Sequence, residues 1–93
     1  MRRVRFSRFA LADLEDIARY ISRDNVAIAR RVVNRIEMLC FLLGTLPGIG
    51  RDSEVSGARK LVIPHLPYKI IYESRPKTVV ILRVYHNARD SHF

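Results

Sequence analysis

The chain has 93 residues, with 17 Lys/Arg against 9 Asp/Glu for a net charge of +8; that length predicts one domain with a single modest core. Its 48% hydrophobic and 28% charged residues exclude an intrinsically disordered chain. So large a positive excess in so short a chain calls for an acidic partner: nucleic acid, a ribosome or an acidic protein.

In chain order, Val4 and Phe6 alternate with Arg3, Arg5 and Ser7, the period of a short first strand. Ser7 is placed to cap a helix by accepting from a free N–H of its first turn. Leu11, Leu14, Ile17, Ala18 and Ile21 then form an apolar stripe at helical spacing. Asp13, Glu15, Asp16 and Arg19 are read as lying off it, with the acids in the N-terminal half that the helix dipole favours. Ser22-Arg23-Asp24-Asn25 breaks this pattern, and Asn25 is a suitable cap for a second, longer helix. That helix has the stripe Ala29, Val32, Val33, Ile36, Leu39, Cys40 and Leu43, with Gly44 expected to end it in a left-handed conformation. Helices joined so tightly form an antiparallel hairpin, and both stripes need a sheet to cover.

Leu46-Pro47-Gly48-Ile49-Gly50-Arg51 is turn-rich. Three strands are expected after it, over 59–64, 68–74 and 78–85, with connections short enough to force antiparallel hairpins. The resulting fold class is α+β, a helical hairpin packed on a mainly antiparallel four-stranded sheet in the order β-α-α-β-β-β. The place of the first strand in the sheet does not follow from the sequence. Neither does the facing of the strand rows, such as Val80, Leu82 and Val84 against Val79, Ile81, Arg83 and Tyr85.

The strand region is the more basic half. Residues 57–93 hold seven Lys/Arg against two Asp/Glu, and residues 1–56 hold ten against seven. Metal-free RNA cleavage needs a base, an acid and cations around the phosphate. His86 is the best base or acid because imidazole titrates near neutrality. Arg59, Lys69, Arg83 and Arg89 are the cations at hand, and Tyr68, Tyr72 or Tyr85 is able to stack on a base. The plainer alternative is that His86 ends the last strand and bonds to backbone while the tyrosines fill the core. His65 reads as a turn residue and His92 belongs to the tail. Arg30, Arg31 and Arg35 on the second helix either receive acidic side chains of a partner or solvate its outer face.

Three scattered histidines and the single cysteine, Cys40, have no metal-ligand spacing. Gly48 and Gly50 precede no helix signature of a phosphate loop, so no cofactor is expected. One cysteine excludes an internal disulfide and fits a reducing cytoplasm. The apolar run Met38 to Leu43 is far short of the ~20 residues that span a bilayer, and the N-terminus lacks the apolar core of a signal peptide.

The order of these features resembles the ParE/RelE superfamily of bacterial toxins. The resemblance rests on Ala12-Asp13-Leu14-Glu15-Asp16-Ile17-Ala18-Arg19-Tyr20-Ile21, Asn25, Leu46-Pro47-x-x-Gly50-Arg51, Arg59-Lys60-Leu61, Pro67-Tyr68-Lys69-Ile70-Ile71-Tyr72 and Val84-Tyr85-His86-Asn87-Ala88-Arg89. It covers nearly the whole chain, and it is the order and spacing that are specific. It implies a toxin of a type II toxin–antitoxin pair, held inactive by an acidic antitoxin wrapped around the hairpin and sheet. RelE-like members cut messenger RNA at the ribosome, whereas ParE-like members poison DNA gyrase.

The helix pattern Asp13-Leu14-x-x-Ile17-x-x-Tyr20-Ile21 and the ending His86-x-Ala88-Arg89 favour the ParE-like branch. Val62 stands where a RelE-like nuclease would place a second strand lysine, and no tyrosine follows Arg89. The expected partner contacts are Arg30, Arg31, Arg35, Arg59, Lys60, Lys69, Tyr72, Arg83 and Arg89. No catalytic residue is favoured; a nuclease would use Arg59, Lys69, His86 and Arg89. A toxin that has lost its activity and only binds its antitoxin is the remaining reading.

Overall fold

The computed structural model describes residues 1–88. Its elements are β1 (Arg3–Phe6), α1 (Arg8–Ser22), α2 (Val26–Leu42), β2 (Arg51–Asp52), β3 (Arg59–Val62), β4 (Tyr68–Ser74) and β5 (Thr78–His86). The α+β class and the element order are as expected, but the sheet has five strands in the order β1-β5-β4-β3-β2. The extra strand, β2, is two residues long and pairs Arg51 with Lys60 and Asp52 with Arg59. A run that short has no alternation for sequence reading to detect.

β1 is parallel to β5 at one edge, and all other pairings are antiparallel. The α1–α2 hairpin is long enough to make the crossover that a parallel pairing requires. Ser7 caps α1 by accepting from the Ala10 N–H at 3.0 Å, and Asn25 caps α2 by accepting from the Ile28 N–H at 3.0 Å. Both helices pack on one face of the sheet. Leu14 and Ile17 of α1, Ile36 and Cys40 of α2 and its C-cap Leu43 form one core with Ile70, Tyr72, Val79, Ile81 and Val84.

Two expectations about the helices are corrected. Leu11 is 49% exposed, and Ala10, Asp13, Leu14 and Ile17 are the buried positions of α1. The buried face is therefore rotated from the apolar stripe, with a carboxylate inside it. No acid stands in the first turn, so Asp13 is not held there by the helix dipole, which acts over that turn only. Gly44 does not adopt a left-handed conformation; Gly57, with φ 85, is the glycine with positive φ. At Gly44 the requirement is space. An added Cβ would lie 2.6 Å from the Arg2 carbonyl oxygen and 2.8 Å from a Val4 methyl, while the Arg2 N–H donates to the Gly44 oxygen at 2.7 Å.

Strand register shows which rows share a face, because directly opposed residues point the same way. Tyr68, Ile70 and Tyr72 lie opposite His86, Val84 and Ile81 on one side of β4 and opposite Leu61 and Arg59 on the other. This row faces the helices. Lys69, Ile71 and Glu73, with Tyr85, Arg83 and Val80 and with Val62 and Lys60, form the opposite face. The pairs Ile71–Arg83 and Tyr72–Ile81 leave Leu82 as an extra residue. This bulge puts Val79, Ile81 and Val84 on one side although their spacing is not uniformly two. Simple period-2 counting failed on β5 for that reason.

Candidate partner-binding surfaces

The sole basic residue in the run Val79 to Val84, Arg83, is matched by the buried acid of α1. Arg83 Nε donates to Asp13 Oδ2 at 2.8 Å and Nη2 donates to Oδ1 at 2.9 Å. The Val84 N–H donates to the same Oδ2 at 2.9 Å. β1 pairs with β5 only as far as Ile81, so beyond that point the β5 edge is open. α1 closes it: the Ser7 hydroxyl donates to the Leu82 oxygen at 2.8 Å, and Asp13 takes the Val84 N–H. The hydrogen bond to Asp13 raises the pKa of Arg83 against the opposing effect of burial. The guanidinium also lies over the Tyr85 ring, 4.6 Å from its centroid, and 5.8 Å from that of Phe9. Arg83, expected as a partner contact, thus has its Nε and Nη2 donors on Asp13 of its own chain. The available signal was a lone basic residue in an apolar run, which implies a buried counter-ion.

Arg59 and Tyr72 are engaged in the same way. Tyr72 is 0% exposed; its hydroxyl donates to the Pro47 oxygen at 2.7 Å and accepts from the Gly50 N–H at 2.9 Å. Arg59 Nη2 donates to the oxygens of Gly50 at 2.9 Å and Gly48 at 3.3 Å, and Asp52 lies 3.7 Å away. Together they hold the 47–50 loop against the sheet. A Cβ on Gly50 would fall 2.5 Å from the Tyr72 hydroxyl, which explains a glycine there. Tyr72 is removed from the set of partner contacts by its burial.

The three candidate nuclease residues among the described residues, Arg59, Lys69 and His86, do not converge. His86 and Arg59 are on the helix-side face, opposite Tyr68 and Tyr72 respectively, which separates them by four residues of β4, ~13 Å along the strand. Lys69 is on the other face. His86 is exposed, stacks edge-on against Tyr68 with centroids 5.5 Å apart, and accepts from the Ala88 N–H at Nδ1. This is the backbone-bonded strand end that the plainer reading gave it. His65 has φ 66 in the β3–β4 turn. Arg89 and His92 lie outside the described residues.

Two kinds of surface remain open. On the helix side, a cleft of about 470 Å³ runs between α1 and the end of β5, lined by Tyr20, Tyr68, His86 and Asp16 among others. Burial, and then the nearby Tyr20, raises the Tyr68 pKa. Arg30, Arg31 and Arg35 are all exposed on α2. Arg31 and Arg35 lie one turn apart, near Ile28 (48% exposed) and Met38 (72%). On the other side, the helix-free sheet face carries Lys60, which donates to Glu54 at 3.2 Å, and Lys69. Among the described residues no group of three or more His, Cys, Asp or Glu is placed to hold a metal ion, and no helix is long and apolar enough to cross a membrane.

The family described as "ParE toxin of type II toxin-antitoxin system, parDE" matches residues 4–91. The chain belongs to that family, and it is a toxin of the ParE/RelE superfamily. It is 36% identical over 85 residues to Y4kP of Sinorhizobium fredii (strain NBRC 101917 / NGR234), a candidate toxin by its name, covering 91% of this chain and 88% of that one. Among solved structures it is similar to a chain of the chromosomal ParDE system of P. aeruginosa, with TM-score 0.82 and 29% identity over 92% of this chain and 96% of that one. It is also similar to a chain of the RelBE2 toxin–antitoxin complex of Mycobacterium tuberculosis, with TM-score 0.70 and 25% identity over 91% and 96%.

Proposed function

We propose that this protein arrests growth by inhibiting DNA gyrase through protein contact, without catalysis of its own, and that a cognate acidic antitoxin neutralises it in the cytoplasm. The observation that carries the reading against a nuclease is the separation of Arg59, Lys69 and His86 across two faces of the sheet. A general base and the cations it serves must meet at one phosphate. Arg59 is moreover spent on its own loop. The antitoxin reading is supported by the exposed helix side. Arg31 and Arg35 with Ile28 and Met38 suit a segment that alternates carboxylates with apolar side chains.

The deciding experiment follows DNA synthesis and protein synthesis in the minutes after expression without antitoxin. DNA synthesis should stop first, with gyrase–DNA breaks accumulating, and His86→Ala should arrest growth as well as the parent does. Early loss of translation with messages cut at the ribosome would overturn the reading and return Arg59, Lys69, His86 and Arg89 to an active site. No arrest at all, with antitoxin binding intact, would mark a toxin that retains binding only.

A further inference from the structure

The helix-free face of the sheet includes Arg83, which turns to Asp13 of α1, but its other basic residues take no part in that clamp or in holding the 47–50 loop. Arg3 and Arg5 lie opposite Thr78 and Val80 at the β1 edge, Lys69 and Lys60 follow on β4 and β3, and Arg51 lies opposite Lys60 at the β2 edge. Glu73, the acid in these paired rows, is held by Arg75, and Glu54 from the loop before β3 pairs with Lys60. Val80 and Ile71 are 5% and 1% exposed; Val80 lies between Arg5 and Glu73, and Ile71 between Arg83 and Lys60. Long basic side chains can cover apolar residues with their stems; Arg83 turns to Asp13 and Lys60 to Glu54, while Arg3, Arg5 and Arg51 are exposed. Five strands span ~19 Å at ~4.8 Å per step, comparable with five or so phosphate positions of one duplex strand at ~3.4 Å each.

We propose that this face docks on the sugar–phosphate backbone of duplex DNA. The inference deepens the gyrase reading: the toxin would touch the DNA that the enzyme holds as well as the enzyme. Three features favour a duplex over a single strand. The row is broad and cationic. The aromatic ring in its paired rows, Tyr85, already has Arg83 stacked on it, so it is no vacant platform of the kind single-strand binders use for bases. His86 is on the opposite face, and His65 is in the β3–β4 turn outside the paired rows, so among the described residues the paired rows of this face hold no imidazole. Contacts of this type are independent of sequence and strongly salt-dependent.

The test is fluorescence anisotropy of a labelled 20-base-pair duplex with the full-length toxin over a range of salt, run beside a gyrase supercoiling assay. The double variant Lys60→Glu/Lys69→Glu should bind at least about tenfold more weakly than the parent, with a salt slope shallower by about two. Arg23→Glu, an equal charge reversal at the end of α1, should change far less per residue. Circular dichroism and antitoxin binding verify that each variant is folded. The inference is overturned if the double variant loses no more affinity per reversal than Arg23→Glu, or if single-stranded RNA of equal length binds tighter than the duplex. Full gyrase inhibition by a variant that has lost duplex binding would also overturn it while leaving the gyrase reading intact. Duplex binding by a parent protein that fails to inhibit gyrase would refute that reading and not this one.

Discussion

At the residue scale, the Asp13 carboxylate serves three donors at once: two from Arg83 and the Val84 N–H. Asp13→Ala would leave a half-buried guanidinium and a buried N–H without acceptors. Unmaking such a pair from one side is more harmful than never having it. The substitution should lower stability by about 2–3 kcal/mol, read as a lower urea midpoint with unchanged m. Cys40 gives a second prediction. Burial, and then the charge of Glu37, pushes its thiol from 9.0 up to about 12. Above pH 9 the unfolded chain releases this proton while the folded chain keeps it, so stability falls as pH rises through that window. Urea melts of Cys40→Ala should show a shallower decline above pH 9 than the parent. The neutral thiol should also resist alkylation until the chain unfolds.

At the element scale, the two helix caps were readable from sequence because each depends on one side chain and the three residues after it. They are not equal in consequence. Asn25 serves α2 alone. Ser7 caps α1 and also donates to Leu82 at the bulge in β5. Asn25→Ala should lower stability by about 1 kcal/mol, and Ser7→Ala by about 1 kcal/mol more through the lost second bond; thermal melts of the two variants check the order. The bulge was not readable, since an extra residue in one strand is defined only against its partner. The same holds for β2, whose two residues are a strand only because β3 lies beside them.

At the scale of the whole molecule, one sheet separates two surfaces with different demands. The helix side holds the core, the cleft and the α2 arginines, where an antitoxin segment would find both apolar and basic contacts. The other side is a cationic sheet face on which neither helix packs. A toxin built in this way can be silenced by a partner on one face and meet its target with the other. The +8 charge predicted an acidic partner but could not divide the arginines between surface and interior. Arg59, Arg83 and Lys60 are held by their own chain, whereas Arg3, Arg5 and Arg51 are exposed.

The sequence by itself determined the class of fold, the two capped helices, the three long strands and the family, because each is written in local spacing or in the order of elements along the chain. It could not determine the partners of residues far apart in that order. Asp13 and Arg83 are seventy residues apart, and Tyr72 is twenty-five from the Pro47 oxygen it holds. Buried polar groups take whatever partner the fold brings near, because leaving them unpaired is unfavourable. Only the tertiary structure could therefore say which charges hold the protein together and which are left for a partner.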